Sequence, residues 1–114
     1  MKFLQINYIF IIIIFFIFSC GNKEKIHISK TIIFEENLYK IDDEAPFSGF
    51  VYNNYDSGEI EYKGEYNEGK PNGWLIYWFV NGNKMREGKL KNGSPIGLWK
   101  YYNEDGTLKK TIQY

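Results

Sequence analysis

The chain has 114 residues, with 14 basic and 14 acidic side chains and a formal net charge of zero. This balance provides no global attraction to nucleic acid or to an anionic membrane surface, because clustered positive charge drives both kinds of binding. Its 11 glycines, 19% aromatic content and three prolines predict an all-β fold of short strands and tight turns. A single cysteine excludes an intramolecular disulfide and a cysteine-based metal site.

An apolar run, YIFIIIIFFIF at positions 8–18, follows a short start that carries Lys2. Its 11 residues fall short of the roughly 20 that span a bilayer and are typical of a signal-peptide core. The next residues, Ile17-Phe18-Ser19-Cys20-Gly21, resemble a bacterial lipobox. The resemblance implies a signal peptide over 1–19, cleavage before Cys20, and acylation of its sulfur and its new amino terminus. An uncleaved N-terminal anchor is the alternative.

Positions 21–30 (GNKEKIHISK) are short and polar, and together with Cys20 they predict a lipidated tether over 20–30. The only histidine, His27, is expected to be solvated in this tether. No second histidine, cysteine or carboxylate cluster lies at ligand spacing from it, so we expect no metal site.

Glycines recur at a fixed spacing through the remainder of the chain, and we call this pattern the glycine register. Two sets of three glycines recur every 24 residues, the second set nine residues after the first: Gly49, Gly73 and Gly97, then Gly58, Gly82 and Gly106. A fixed period of this length indicates a repeat architecture, here a domain over 31–114 with units at about 49–72, 73–96 and 97–114. Both glycine sets are expected to be structural, the second in turns that need positive φ and the first where strands begin and neighbouring units approach closely.

Each unit predicts a β-hairpin. In the middle unit, 73–79 form an aromatic strand, Asn81-Gly82 provide the turn, 84–91 return as a more polar strand, and 92–95 turn into the next unit. The other two units repeat this order with turns at Asp56-Ser57-Gly58 and Asp105-Gly106.

The segment GLWKYYNEDG at 97–106, preceded by Asn92-Gly93-Ser94-Pro95, resembles a MORN-type repeat. It is most similar to the MORN-variant repeats of bacterial proteins labelled YwqK-like antitoxins, and Pro46-Phe47-Ser48-Gly49 resembles the opening of such arrays. The resemblance covers about 39–114 and implies a single curved antiparallel sheet of stacked hairpins. Positions 31–41 are expected to supply a strand or strand pair that covers the N-terminal edge.

Alternation along the first strand of each unit divides its side chains between two faces. The resemblance suggests that the set with Trp99 and Tyr101, which also holds Val51, Leu75 and Tyr77, packs into the core. The opposite set would leave an aromatic binding patch exposed. The candidate binding residues are Phe50, Tyr52, Trp74, Ile76 and Trp78. The alternative is that the sheet curls tightly and these side chains are structural.

No constellation in the sequence favours catalysis. Asp42-Asp43-Glu44 is expected to be a solvated turn, since it lacks the glycine and distal glutamate of a calcium loop. A nucleophilic triad is excluded because the only histidine lies outside the repeats, and no phosphate-binding glycine motif occurs. We therefore expect no enzyme activity, no cofactor and no small-molecule substrate.

These observations predict a lipoprotein of the bacterial cell envelope, held to the membrane by its lipid anchor. Its repeat module would bind a protein or an envelope component through aromatic side chains. Two alternatives stay open: an antitoxin that neutralises a partner toxin by direct binding, and a structural envelope protein without a discrete ligand.

Overall fold

The computed structural model describes residues 22–114, and the described part of the chain is almost entirely β-structure. Nine strands follow one another along it: β1 Lys25–His27, β2 Thr31–Phe34, β3 Asn37–Lys40, β4 Gly49–Asn54, β5 Ile60–Asn67, β6 Lys70–Trp78, β7 Lys84–Lys91, β8 Ser94–Tyr102 and β9 Leu108–Gln113. A single turn of 3-10 helix, Ile28–Lys30, lies between β1 and β2. The prediction of an all-β chain built from hairpin-like strands is confirmed.

Seven strands form the main sheet in the order β1-β4-β5-β6-β7-β8-β9, and β2 and β3 form a separate two-stranded sheet. From β4 to β9 every neighbouring pair is antiparallel. The prediction of a wholly antiparallel sheet was wrong at one edge, where β1 pairs with β4 in parallel.

The N-terminal segment differs from its prediction. Residues 25–30 are part of the fold, as β1 and the 3-10 turn, and Ile26 is buried opposite Val51. His27 lies in β1 and is half-buried, with its ring edge-to-face on Tyr52 at 5.3 Å. The strand could not be recognised from the polar composition of 21–30. A single buried residue, Ile26, is enough to anchor a three-residue edge strand.

Residues 31–41 form a strand pair, but it does not extend the main sheet as expected. The pair docks through its backbone instead, with the Leu38 amide donating to the Gly69 carbonyl at 2.9 Å and the Gly69 amide donating to Phe47 O at 2.8 Å. The strand that covers β4 is β1. Leu38 and Phe47 join Ile26 and Val51 in the buried core cluster, against which Tyr66 packs.

We call the face of the main sheet that carries Val51, Leu75 and Trp99 the inner face, and the opposite one the outer face. Cross-strand pairs place Val51, Gly64, Leu75 and Gly88 in one row across the inner face. Val51 is fully buried and Trp99 is 4% exposed, whereas Leu75 is half-buried. The inner face therefore carries the buried residues Val51 and Trp99, as the resemblance suggested.

The strands begin earlier than the glycine register suggested. Pro71 and Pro95 lie inside β6 and β8, and two-residue turns at Glu68-Gly69 and Asn92-Gly93 precede these strands. Gly73 and Gly97, with φ of +111° and +68°, lie within the strands where the pairing register shifts. They mark bulges, because a glycine with positive φ relieves the backbone where an extra residue is inserted.

Candidate functional site

A shallow groove on the outer face is the clearest concave site that the candidate residues form. We call it the outer groove: a cavity of about 350 Å³ lined by Phe50, Lys63, Trp74, Ile76, Lys84 and Glu87. Its aromatic walls are Phe50 on β4 and Trp74 on β6, and its apolar floor is Ile76 on β6. Its charged rim comes from the more polar strands β5 and β7.

The strand register explains why these residues meet. Lys63 of β5 lies opposite Tyr52 on one side and Ile76 on the other, and Ile76 lies opposite Glu87 of β7. Cross-strand neighbours share a face, so this row runs along the outer face. Antiparallel pairing of aromatic first strands with lysine-rich second strands thus interleaves apolar and charged side chains.

Trp74 stands out from the sheet because it follows the bulge at Gly73. Its amide leaves the strand ladder and donates to Oε2 of Glu65 at 3.1 Å. A Cβ at Gly73 would overlap the Glu65 carboxyl group, so glycine at this position is what lets the carboxylate reach the Trp74 amide. Trp74 remains 46% exposed.

Three of the five candidate binding residues, Phe50, Trp74 and Ile76, line the outer groove. Tyr52 and Trp78 do not line it. Tyr52 is half-buried, with the Lys25 ammonium 5.4 Å from its ring centre. Trp78 is half-buried opposite Lys84, and its carbonyl accepts a hydrogen bond from the Tyr55 hydroxyl at 2.6 Å. The outer face is therefore only partly open.

Three rim residues, Lys63, Lys84 and Glu87, were missed from the sequence. The alternation of side chains along the first strand of each unit does not reveal them, because these residues lie on the second strands, β5 and β7. The signal was present in the glycine register: pairing Gly64 with Leu75 fixes Lys63 beside Ile76. The register could have been built by counting outward from the turns.

Charged groups on the outer face are held in place by specific partners. Burial opposes ionisation of Glu87, but hydrogen bonds from Lys84 at 2.8 Å and from the Tyr102 hydroxyl at 2.7 Å outweigh it and lower its pKa. Glu65 behaves in the same way: burial raises its pKa, but Lys23, the Trp74 amide and the charge of Lys89 lower it by more, so the net shift is downward. Both carboxylates are thus kept ionised as structural anions.

The inner face offers a second, smaller cavity of about 250 Å³, whose tyrosines are Tyr62, Tyr66 and Tyr77. Burial, with the neighbouring Tyr66, Tyr77 and Glu61, raises the pKa of Tyr62 to about 12. The Arg86 guanidinium stacks on Tyr77, 4.2 Å from its ring centre. This cavity is formed by side chains that pack between neighbouring hairpins.

The glycines of the second set occupy the expected turns, with φ of +93° at Gly58, +90° at Gly82 and +89° at Gly106.

Asp42, Asp43 and Glu44 are exposed in a turn. Among residues 22–114, no three His, Cys, Asp or Glu side chains are grouped closely enough to hold a metal ion. No helix in that range is long and apolar enough to cross a membrane. Cys20 and the segment 1–19 lie outside the described residues.

Comparison of the chain with protein-family models, with curated proteins and with solved structures gave no significant match.

Proposed function

We propose that this protein is a membrane-anchored, non-catalytic binding module that holds a protein or an envelope component in the outer groove. One observation carries the proposal: Phe50, Trp74 and Ile76 surround an open cavity, and Trp74 is 46% exposed beside it. Exposed aromatic side chains in a groove are the usual anchors of binding sites, because they bury a large apolar area at low entropic cost.

We propose further that the main sheet is a MORN-like array with a 24-residue period. The recurrence of turn hydrogen bonds supports this. In each hairpin the amide of the turn glycine donates, at 2.9 Å, to the carbonyl of the residue that directly follows the first strand: Gly58 to Tyr55, Gly82 to Phe79, and Gly106 to Asn103. A register shift precedes each of these turns at the same distance, after Asn53, Tyr77 and Tyr101. Repeats of this kind present extended surfaces for binding.

Attachment to the envelope through acylated Cys20 rests on the lipobox-like sequence. The short distance to the sheet supports a function at the membrane. Lys25, where β1 begins, lies five positions after Cys20, and an extended chain reaches at most about 18 Å over that length. The repeat domain would then be held within one domain diameter of the bilayer, which favours an envelope partner over a distant one.

The test is photo-crosslinking capture of the full-length protein in its native cells. Wild type is compared with Trp74→Ser and with Leu98→Ser, the matched control. Leu98 lies 24 residues after Trp74 and is 48% exposed, but it does not line the groove. We expect one partner to be enriched with wild type and Leu98→Ser and lost with Trp74→Ser.

Other outcomes decide between the alternatives. A captured toxin would identify the antitoxin function. Equal capture by all three proteins, or none by any, would contradict the groove as the binding site, and the absence of any partner favours a structural envelope protein. Mass spectrometry of the mature amino terminus tests the anchor separately, since an unmodified Met1 would exclude acylation at Cys20.

A further inference from the structure

Two lysine ammonium groups lie directly on the aromatic walls of the outer groove. Lys63 Nζ is 4.2 Å from the ring centre of Phe50, and Lys89 Nζ is 5.1 Å from the ring centre of Trp74. Contacts of this length are cation–π interactions, which hold an ammonium group over the ring face. The two cations are therefore positioned by the fold at the walls of the groove.

Neither ammonium group forms an ion pair within 4 Å among the described residues, although Lys89 is close enough to Glu65 to help lower the pKa of that carboxyl group. The ion pairs found there within 4 Å are Lys23 with Glu65, Lys40 with Glu24, and Lys84 with Glu87. The charges of Lys84 and Glu87 therefore offset each other, and Lys23 offsets Glu65, whereas Lys63 and Lys89 have no carboxylate within ion-pair distance. A chain with zero net charge thus presents a local positive potential over an apolar floor, which favours an anionic ligand.

The cation–π contacts also restrict how a ligand can enter. A sugar ring binds aromatic side chains by stacking on an open ring face, but the faces of Phe50 and Trp74 already carry ammonium groups. What stays accessible is the apolar space between the rings, floored by Ile76. That space suits an inserted aliphatic or aromatic side chain, with anionic groups on either side of it.

The strand register sets the spacing of those anionic groups. Lys63 on β5 and Lys89 on β7 are separated by the width of β6, and their partners Ile76 and Trp74 are offset by two residues. Two strand spacings and two residue rises give about 12 Å between the lysine backbones. The backbones of residues four apart in an extended peptide are separated by a similar distance, about 13 Å.

We propose that the occupant of the outer groove is an acidic, extended protein segment, in which an apolar side chain lies midway between two carboxylates about four residues apart. This rests on the proposed function, that the groove is the binding site, and adds the chemical class of the partner. The apolar side chain enters between Phe50 and Trp74, and the carboxylates pair with Lys63 and Lys89.

The experiment measures the indole N–H resonance of Trp74 in the full-length protein, held in nonionic detergent. The probe is the peptide Gly-Glu-Ser-Leu-Ser-Glu-Gly with blocked ends. The matched peptides replace both Glu by Gln, or Leu by Ser, and an oligogalacturonate provides anionic charge on a glycan. We expect the acidic peptide to shift Trp74 saturably and to leave Trp99, on the inner face, unchanged. The two matched peptides and the glycan should each bind at least about tenfold more weakly.

Lys63→Gln with Lys89→Gln should weaken binding of the acidic peptide about tenfold or more, whereas Lys110→Gln on the inner face should not. Equal binding of the neutral peptide, preferential binding of the oligogalacturonate, or no shift of Trp74 at about 10 mM peptide would overturn the acidic-segment proposal. These results leave the capture experiment at Trp74 unaffected, so a wrong ligand class can be distinguished from a wrong site.

Discussion

Trp74 and Trp99 have opposite surroundings in closely related parts of the sheet. Trp99 is 4% exposed, donates its indole N–H to the Lys89 carbonyl at 3.2 Å, and meets Tyr114 edge-to-face at 6.2 Å. Trp74 is 46% exposed and bears the Lys89 ammonium group on its ring. One tryptophan therefore belongs to the core of the fold, and the other lies exposed on the proposed binding surface.

Trp99→Ala should lower the free energy of unfolding by about 3–5 kcal/mol, because it removes a large buried side chain and leaves a cavity. Trp74→Ala should lower it by less than about 1 kcal/mol, since much of that ring is already in water. Urea unfolding followed by circular dichroism measures both. Equal losses would show that Trp74 is a packing residue and would remove the main support for the outer groove.

Tyr62 should ionise last among the tyrosines of this surface, because burial and its neighbours raise its pKa from 10.0 to about 12. A raised pKa means that the neutral phenol is favoured in the folded state. The stability it contributes is fully present below pH 10, its unfolded value, and is lost as the pH rises toward 12. Titration of tyrosinate absorbance should show a late component that Tyr62→Phe removes, and an unchanged titration would place Tyr62 in water.

The contribution of Glu87 to stability has the opposite pH dependence. Its pKa is lowered from 4.5 because hydrogen bonds from Lys84 and Tyr102 outweigh burial. Its contribution to stability is present above pH 4.5 and is lost as the pH falls through the lower folded value. Glu87→Gln should make unfolding less pH-dependent in that acidic range. A slope in Glu87→Gln that is unchanged from wild type would contradict the assignment.

At the scale of the strand, the inner face is built from large residues that lie over glycines. Gly64 of β5 is paired with Leu75 of β6, and Gly88 of β7 lies beneath the Trp99 indole of β8. These glycines supply space, and neither needs positive φ. Their 24-residue spacing follows from the large residue that each accommodates.

Gly88→Ala should be strongly destabilising, by more than about 3 kcal/mol, because its methyl group would overlap the indole of Trp99 and the neighbouring strands cannot separate. Gly64→Ala is the matched control. Its Cβ would lie 3.4 Å from a terminal methyl carbon of Leu75, which can move, so the loss should stay below about 1 kcal/mol. Thermal unfolding of the two variants checks this, and similar losses would show that Trp99 does not lie against Gly88.

The strands and turns could be predicted because both are local. Aromatic strands, Asn-Gly and Asp-Gly turns and the alternation of faces depend on residues close in sequence, and these predictions agree with the hairpins from β4 to β9. The parallel strand β1 could not be found this way, since its partner β4 is 25 residues away and its composition is polar. The bulges at Gly73 and Gly97 were missed because a strand-initiating glycine and a bulge glycine have the same sequence pattern.

The candidate site was predicted only in half. Phe50, Trp74 and Ile76 followed from strand alternation, whereas Lys63, Lys84, Glu87 and Lys89 required the pairing of first with second strands. Tyr52 and Trp78 were placed on the correct strands but do not line the groove. Tyr52 packs against His27 of the neighbouring strand β1, and Trp78 lies at a local shift in the pairing register of β6 with β7. Cross-strand geometry, and not composition, therefore decides which aromatic side chains form the site.

The last strand bears on the behaviour of the whole molecule. β9 carries Ile112 at the position where β5 and β7 carry Gly64 and Gly88. A further hairpin stacked on β9 in the same register would need to place a large side chain where the Ile112 side chain already lies. Ile112 therefore opposes pairing of a second copy with β9 in that register.

The protein should accordingly be monomeric through its β9 edge. Sedimentation equilibrium of the detergent-solubilised protein should give the mass of one chain, and Ile112→Gly should associate more readily, since it restores the space that Gly88 provides. A wild-type dimer that Lys109→Pro or Thr111→Pro dissociates would contradict this, because proline blocks pairing at an edge strand.

The measurement that tests the central claim most directly is site-resolved photo-crosslinking in native cells. A photoreactive phenylalanine analogue is placed at Trp74 in the outer groove, at Leu98 in the equivalent position of the next hairpin, and at Tyr101 on the inner face. The outer groove as the binding site predicts one specific crosslinked partner at position 74 and much weaker crosslinking at 98 and 101. Crosslinking of the same partner at 101 but not at 74 would contradict it.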